Sequence, residues 1–508
     1  MNRDPAEPDI ISRALAKNRL GVPSVVFFGV AGAAPLTVII GAISAIYAIV
    51  GNTAVPIVYF VVAAILSVFT VGFVAMSRHI VNSGAFYSYI SHGLGRLVGV
   101  GAAFVALPAY SLMQIGLFGL FGSAASNILS ALGLNVSWYV CALVAWAFVA
   151  VLGLLWVDLS GRVLAFLLVA EISVVLLYDL VMVLNPAGGH ISLSTLSLRP
   201  LFTPEVGSML VLAIAGFVGF EATVVLSEEA KDPKHTIARA THWAVLIAGL
   251  LCGLSAWAMS VNTGPDKIVA TAQAHQTDLV FTLVSPHLPA IFVELGYVLF
   301  MTSVFAALLA FHAAVARYQF ALGREGVLPG AWGRTHPRTG APLLGSITQS
   351  LLAVGVLSAY AAAGAEPIRF VFAWLTTIGG LGVLILMWAA SAAVIAFFIR
   401  HRGRENAWRA QIATFLAFLL LTVVLAATII GFGELLQVSP DSPFRWIVPP
   451  LYAGVALIGL VWGLVMRVVR PEAYAAIGRG ADGRVSMALP SILKDLRAEP
   501  VGSRGFHY

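Results

Sequence analysis

Long apolar runs separated by short polar connections fill the chain between about residue 25 and residue 468. A bilayer's hydrocarbon core is about 30 Å thick, so about 20 apolar residues of helix cross it. A helix also meets its own backbone hydrogen bonds there. On that measure the sequence predicts about twelve transmembrane helices, near 25–50, 54–76, 97–130, 137–157, 163–184, 205–227, 240–263, 289–315, 342–363, 368–398, 408–432 and 446–468. The expected class is an all-α integral membrane protein. Two of the runs are interrupted midway, the first at Gly29-Val30-Ala31-Gly32-Ala33-Ala34-Pro35 and the sixth at Ala215-Gly216-Phe217-Val218-Gly219-Phe220-Glu221. Glycine and proline weaken a helix at these points and free backbone N–H and C=O groups at membrane depth, where lipid cannot satisfy them. Something polar is expected to bind there. Interrupted helices at matching places in two halves of a chain are the sequence pointer to the substrate site of a secondary transporter.

Composition agrees with the pattern. The chain is 60% hydrophobic and 10% charged, against about 25% charged for a soluble globular domain. All but four of the 29 Lys and Arg fall in the tails and alternate connections that share one predicted face; the exceptions are Arg199, Lys267, Arg369 and Arg445. Cytoplasmic loops hold the positive excess, so an even span count with both termini cytoplasmic is expected. The net charge of +6 then belongs to the inner membrane face, and no nucleic-acid partner is implied. The N-terminus lacks a cleavable signal pattern, and Ile10, Ile11, Leu15 and Leu20 with Arg13 and Lys17 suggest a short amphipathic helix. The two cysteines, Cys141 and Cys252, sit within predicted spans and suit neither a disulfide framework nor a metal site. The excess of Arg over Lys, with abundant Ala, hints at a GC-rich bacterial genome, and the expected location is a bacterial inner membrane.

The expected organisation is a cytoplasmic tail over 1–22, one transmembrane domain over 23–470 and a second cytoplasmic tail over 471–508. If spans one to five and six to ten form two halves, a broken helix opens each and the last two spans are additions, which is inverted-repeat logic. Three connections are informative: Arg78 to Leu97, too polar to span; Ser227 to Ile237; and Ala316-Arg317-Tyr318 followed by Leu322 to Pro329.

Those connections carry a resemblance. Asn82-Ser83-Gly84-Ala85-Phe86-Tyr87-Ser88-Tyr89, Phe217-Val218-Gly219-Phe220-Glu221 followed by Glu228-Glu229 and Asp232-Pro233-Lys234, and Gly323-Arg324-Glu325-Gly326-Val327-Leu328-Pro329 resemble the amino acid-polyamine-organocation (APC) superfamily of permeases. The likeness runs over about residues 20–400. It implies a five-plus-five inverted-repeat (LeuT-like) fold with broken helices one and six, alternating access, and amino acids, polyamines or related organic amines as substrates. The sequence departs from the family at the first break, where many members carry a Gly-x-Gly run and this chain has Pro35-Leu36-Thr37.

Candidate site residues follow from the breaks. Small residues Ala31, Gly32, Ala33 and Ala34 let a ligand approach the main chain, Pro35 removes a donor, and Thr37 offers a hydroxyl. Bare N–H groups suit a carboxylate and freed carbonyls an ammonium; the alternative is a proline kink with tight helix packing. In the second break, Phe217, Val218, Gly219 and Phe220 give aromatic surface beside exposed backbone. The resemblance makes Phe217 the candidate lid over bound substrate, against plain aromatic packing. Glu171 lies nine residues after Arg162, which at 1.5 Å per residue puts it ~14 Å deep. An ionised carboxylate there is costly. It can carry a proton, pair with an amine, ligate Na⁺, or stay neutral as a structural group. Related proteins with proton coupling sometimes hold a lysine at this place.

Glu221 can receive a proton or cap the broken helix. Asp179 and Glu294 lie nearer the outer side. Tyr110, Gln114, Ser303, His312, Trp374 and Thr376 are polar or aromatic candidates for a cavity lining, each with an interhelical packing alternative. Acids and bases of the loops, Glu228, Glu229, Lys231, Asp232, Lys234, Arg317 and Arg324, read as inner-gate ion pairs and positive-inside anchors. No phosphate-binding loop, hydrolase elbow, nucleophile-base pair or metal cluster emerges, so neither an enzyme nor ATP-driven transport is expected.

The functional expectation is a secondary active transporter importing an amino acid or related organic amine. Coupling to H⁺ is favoured, with Na⁺ open and no cofactor. The alternatives are a polyamine or cationic-amine carrier or exchanger, and, from another class, a membrane sensor or channel. Its expected partners are the small-molecule substrate and the lipid bilayer; the sequence leaves the oligomeric state open.

Overall fold

The computed structural model describes residues 21–480 except 81, 83, 156–160, 204–205, 226–229, 338, 402, 404 and 440. The expected amphipathic helix before residue 21, most of the C-terminal tail, and Glu228 and Glu229 lie outside the described residues. In chain order the helices are α1 (Val22–Ala33), α2 (Pro35–Val50), α3 (Val55–Ser77), α4 (Ala85–Leu94), α5 (Arg96–Ala131), α6 (Trp138–Leu154) and α7 (Gly161–Leu184). They continue with α8 (Val206–Phe217), α9 (Ala222–Val225), α10 (Pro233–Thr263), α11 (Ile268–His275), α12 (Leu279–Val284), α13 (Ala290–Arg324), α14 (Leu343–Ala362) and α15 (Pro367–Arg400). The last are α16 (Trp408–Ile430), α17 (Phe432–Leu435), α18 (Phe444–Val469) and α19 (Pro471–Ala476). Among the described residues there is no β-strand, and Thr335 and Pro342 form an isolated bridge.

Nine of these helices are long and apolar enough to cross a membrane, and three shorter apolar ones, Pro35–Val50, Trp138–Leu154 and Val206–Phe217, fall on the remaining predicted runs. Local chemistry sets their ends. Gly51, in the left-handed region at φ +67°, closes α2, and Asn52 Oδ1 accepts from the Ala54 amide at 2.9 Å just ahead of α3. The Glu366 carboxylate accepts from the amides of Ile368 at 2.9 Å and Arg369 at 2.5 Å, capping α15. Lipid-width helices bury one face in the bundle and expose the other: Leu351, Val423, Ile430, Leu457 and Val468 are all exposed, as residues facing acyl chains should be.

Both expected interruptions are present, and each is shorter than the run of weak residues that predicts it. The first helix continues through Ala33 and breaks at one residue, Ala34, which sits in the left-handed region at φ 40°, ψ 68°. The chain then restarts at Pro35 and widens into a π-helical turn over Val38–Ile43. Proline has no N–H for the preceding turn, so the residue before it takes the bend; with alanine there, that costs about 1–2 kcal/mol relative to glycine. The second helix ends at Phe217, turns through 218–221 and resumes at Ala222. Gly219 makes that turn at φ +124°.

The two breaks touch backbone to backbone. A Cβ added to Gly219 would lie 2.3 Å from the Gly32 carbonyl carbon and 2.7 Å from the Ala33 nitrogen, and one added to Gly32 would lie 3.0 Å from the Gly219 carbonyl oxygen. Around this crossing α10 packs along α3, and α15 along α5. The predicted basic connections meet at one end of the bundle. There Arg78 pairs with Glu405 at 3.2 Å, the Arg400 guanidinium donates to the Gly93 carbonyl, and Arg96 stands 5.9 Å over the Tyr474 ring.

The crossing makes a prediction. Gly219→Ala combines a left-handed φ with overpacking, and is expected to lower thermal stability in detergent by about 1–3 kcal/mol. Gly355→Ala, at a helical glycine with open space around it, should leave the melting temperature unchanged or raise it. Equal melting temperatures for parent and Gly219→Ala would show that the breaks do not meet.

Candidate substrate site

A cavity of about 70 Å³ lies beside the crossing. The first break gives it Gly32, Ala33, Ala34, Thr37 and Val38, and the second gives Ala215, Gly216 and Val218. Met113 and Leu117 of α5, Ala307 and Phe311 of α13, and Phe372, Ala373 and Thr376 of α15 close it, while Ala42, Ala45 and Ile49 extend it along α2. No charged side chain lines it. Both of its hydroxyls are engaged: Thr376 Oγ1 donates to the Phe372 carbonyl at 2.6 Å, and Thr37 Oγ1 donates to Ser303 Oγ at 3.1 Å.

Phe311 divides this cavity from a smaller one of about 10 Å³ toward the basic end, lined by Gly32, Tyr110, Gly219, Glu221, Ala310, Phe311 and Ala314. Glu221 is buried, and its two oxygens are spoken for. Oε1 accepts from the Tyr110 hydroxyl at 2.7 Å and Oε2 from the Gly219 amide at 3.0 Å. The carboxyl thus satisfies a backbone donor released by the break and ties it to α5. The Tyr110 ring packs on Phe311, 6.3 Å between centroids, and on Tyr318, 5.6 Å.

Glu171 is buried on α7, outside the cavity lining. Ser303 of α13 is its polar neighbour, and the Ser303 oxygen accepts from Thr37. A hydroxyl has one proton to give; with Thr37 donating to it, Ser303 is free to donate to Glu171. Thr37, Ser303 and Glu171 thus stand in series from the first break through α13 to α7.

Of the other predicted residues, the structure brings Gly32, Ala33, Ala34, Thr37 and Val218 to the cavity, Gly219 to the smaller pocket, and Ser303 one step behind Thr37. The side chain of Ala31 lies outside the described set. Phe217 does not take the lid position: it is buried against Tyr59, 6.1 Å between centroids, and beside Gly249, because the helix is still regular there and its face turns to α3 and α10. Phe220 likewise packs edge-on against Phe69 at 6.3 Å. Gln114 faces away from the cavity, donating to the Leu308 carbonyl at 3.2 Å and accepting from Gln349 at 2.6 Å. Trp374 points outward, its indole N–H donating to the Leu436 carbonyl at 2.9 Å; its neighbour Thr376 lines the cavity instead. His312 bonds Ser346 at 2.7 Å, and Asp179 accepts from Ser255 at 2.8 Å. Asp232 pairs with His235 at 2.9 Å.

Sequence reasoning missed Phe311 and Phe372. A signal existed: Ser303, Ala307, Phe311, Ala314 and Tyr318 recur at three- and four-residue steps and so share one face of α13, and Phe372 stands one turn before Thr376.

A membrane bundle with two broken helices meeting at a buried, small-residue cavity defines a permease architecture. The amino acid permease family model matches residues 20–458, and the chain belongs to that family. It is similar to the low-affinity putrescine importer PlaP of Escherichia coli strain K12, 26% identical over 193 residues, 37% of this chain and 39% of the relative. The branched-chain amino acid permease BcaP of Bacillus subtilis strain 168 is 26% identical over 381 residues, 65% of this chain and 78% of the relative. The match thus spans well under half the length of the putrescine importer.

The Tyr110–Glu221 contact generates a second prediction. Tyr110→Phe removes a hydrogen bond to a buried carboxyl, so thermal unfolding should show a loss of about 1–3 kcal/mol. Gly219→Ala in the Tyr110→Phe background should give less than the sum of the two losses, since both act on one network. Strict additivity would mean that Glu221 does not couple them.

Proposed function

We propose that this protein is a secondary transporter that imports an amino acid with an apolar side chain across a bacterial cytoplasmic membrane, by alternating access and with proton coupling. The observation that carries the reading is the cavity at the crossing of the two breaks, lined by backbone, apolar side chains and two threonines whose hydroxyls are already bonded, with no charged group. Peptide groups freed at the breaks meet the α-carboxylate and α-ammonium, and the aliphatic wall takes the side chain. A diamine would bring a second ammonium with no counter-charge in the cavity, at a cost of several kcal/mol. The relation to a branched-chain amino acid permease points the same way.

Under this reading the chain has twelve spans arranged as five plus five with two added, and both termini face the cytoplasm, where the positive excess places them. Glu171 is the proton carrier. Its charge state reaches the first break through Ser303 and Thr37, and so biases which side of the membrane the site faces. The cationic-amine reading is motivated by Glu221 in the smaller pocket and by the likeness to a putrescine importer. Its weakness is that both oxygens of that carboxyl are already bonded.

In proteoliposomes loaded at higher pH than the bath, uptake of leucine, isoleucine or valine should rise with the imposed pH difference and need no Na⁺. Unlabelled branched-chain amino acids should compete and putrescine should not. Putrescine competing where leucine fails would decide for the amine carrier. Glu171→Gln should cut pH-driven accumulation by roughly tenfold or more while leaving binding measurable; full pH-driven accumulation by that variant would sink the proton role.

A further inference from the structure

Glu325, immediately after α13 at the basic end, is 2% exposed. Its carboxylate accepts from Asn82 Nδ2 at 2.8 Å, from the Tyr87 hydroxyl, and from the backbone amides of Gly478 at 2.6 Å and Gly480 at 2.9 Å. The Gly478 carbonyl in turn accepts from Asn82 Nδ2 and Ser88 Oγ, each at 3.1 Å. Three separate parts of the chain meet on this carboxylate: the connection after α3 with α4, the end of α13, and the segment that follows α18. None of these groups lines the cavity.

The segment is shaped for the contact. Gly478 and Gly480 have φ +80° and +60°, which turns two nearby amides toward one carboxylate, an anion-binding nest of backbone N–H groups. A Cβ on Gly478 would lie 3.0 Å from Ser91 Cβ, so a side chain there would be both strained and crowded. Earlier in the segment, Tyr474 receives Arg96 on its ring, and Ala473 stands where a Cβ on Gly326 would be 3.1 Å away. A buried carboxylate is tolerable while its donors stay in place, and withdrawing two of them strands a charge. Burial of Glu325 and docking of the segment are therefore one event.

We propose that Pro471–Gly480 is a latch on the basic end, that Glu325 is its receptor, and that Gly478 and Gly480 must leave Glu325 before the substrate site can open on that side. The link to the site is α13 itself. One helix carries Phe311 at the wall between the two cavities, Ala314 in the smaller one, Tyr318 against Tyr110, and then the latched Glu325. Swinging its end away from Asn82 and Tyr87 is what opening toward that face requires, and the glycine pair holds it still. This inference rests on the alternating-access reading above.

The test uses the full chain in nanodiscs with Cys141 and Cys252 replaced by alanine and a single reporter, Ala314→Cys. Glu325→Gln puts amide hydrogens among donors. It should accelerate hydrogen exchange at Gly478 and Gly480 and raise maleimide labelling of the reporter by roughly tenfold. Truncation after Arg470, which keeps Glu325, should raise labelling alike and covers the case in which Glu325→Gln fails to fold. Labelling at the parent rate in a folded variant overturns the latch, whether or not exchange accelerates. A parent protein that moves no amino acid or amine down any gradient overturns the transport reading instead, and leaves the labelling result to be judged on its own.

Discussion

Everything around the site depends on two main chains passing within contact distance at Gly32 and Gly219. In lipid a peptide group has to find its partner within the protein, so a helix can be cut at depth only where something else takes up the loose ends. Here the second break supplies its own remedy, Glu221 accepting from the Gly219 amide, while the first confines its bend to Ala34, whose N–H still donates to the Val30 carbonyl at 2.9 Å and whose carbonyl accepts from the Val38 amide at 3.0 Å. Close approach of the breaks forbids side chains on the contact faces. It also leaves the walls beside the contact small, and that is what makes room for a cavity.

The chemistry of the cavity is then set by what cannot be there. The acids nearest the cavity stand behind its lining, Glu221 bonded to Tyr110 and Glu171 buried beside Ser303. What remains for a ligand is peptide dipoles and hydrocarbon. Toward the basic end the path is obstructed in sequence by Phe311, by the Tyr110 and Tyr318 rings, and finally by the bonds to Glu325. A single long helix, α13, takes part in each of these obstacles.

Much of this was legible in the amino-acid order. Span positions follow from runs of apolar residues, and the breaks from Gly and Pro. The depth of Glu171 follows from counting helical rise, and the structure buries it on α7. The orientation of aromatic rings was not legible. Phe217 and Phe220 flank Val218-Gly219 in sequence, yet Phe217 still sits on the regular helix and Phe220 within the turn, and both rings pack on α3. Phe311 and Phe372 come from helices with no break and carry only the faint mark of a shared face. The partners of Glu325 were equally hidden: Asn82 and Gly478 are nearly 400 residues apart, and no local pattern joins them. Ala34 in a left-handed bend ran against local preference, since proline's missing N–H outweighed alanine's dislike of that region.

The Thr37–Ser303–Glu171 chain has a direction, and that direction is a form of memory. Thr37 hands its hydrogen to Ser303, and the hydrogen of Ser303 is then left for the carboxyl on α7. A carboxylate can only accept, whereas a carboxylic acid also donates. A proton added at Glu171 therefore offers Ser303 a second donor, which leaves the Ser303 hydrogen able to turn elsewhere. The charge of a residue that the first broken helix never touches would thus show one hydroxyl away from it, in where the Ser303 hydrogen points, without any large movement of the backbone between them.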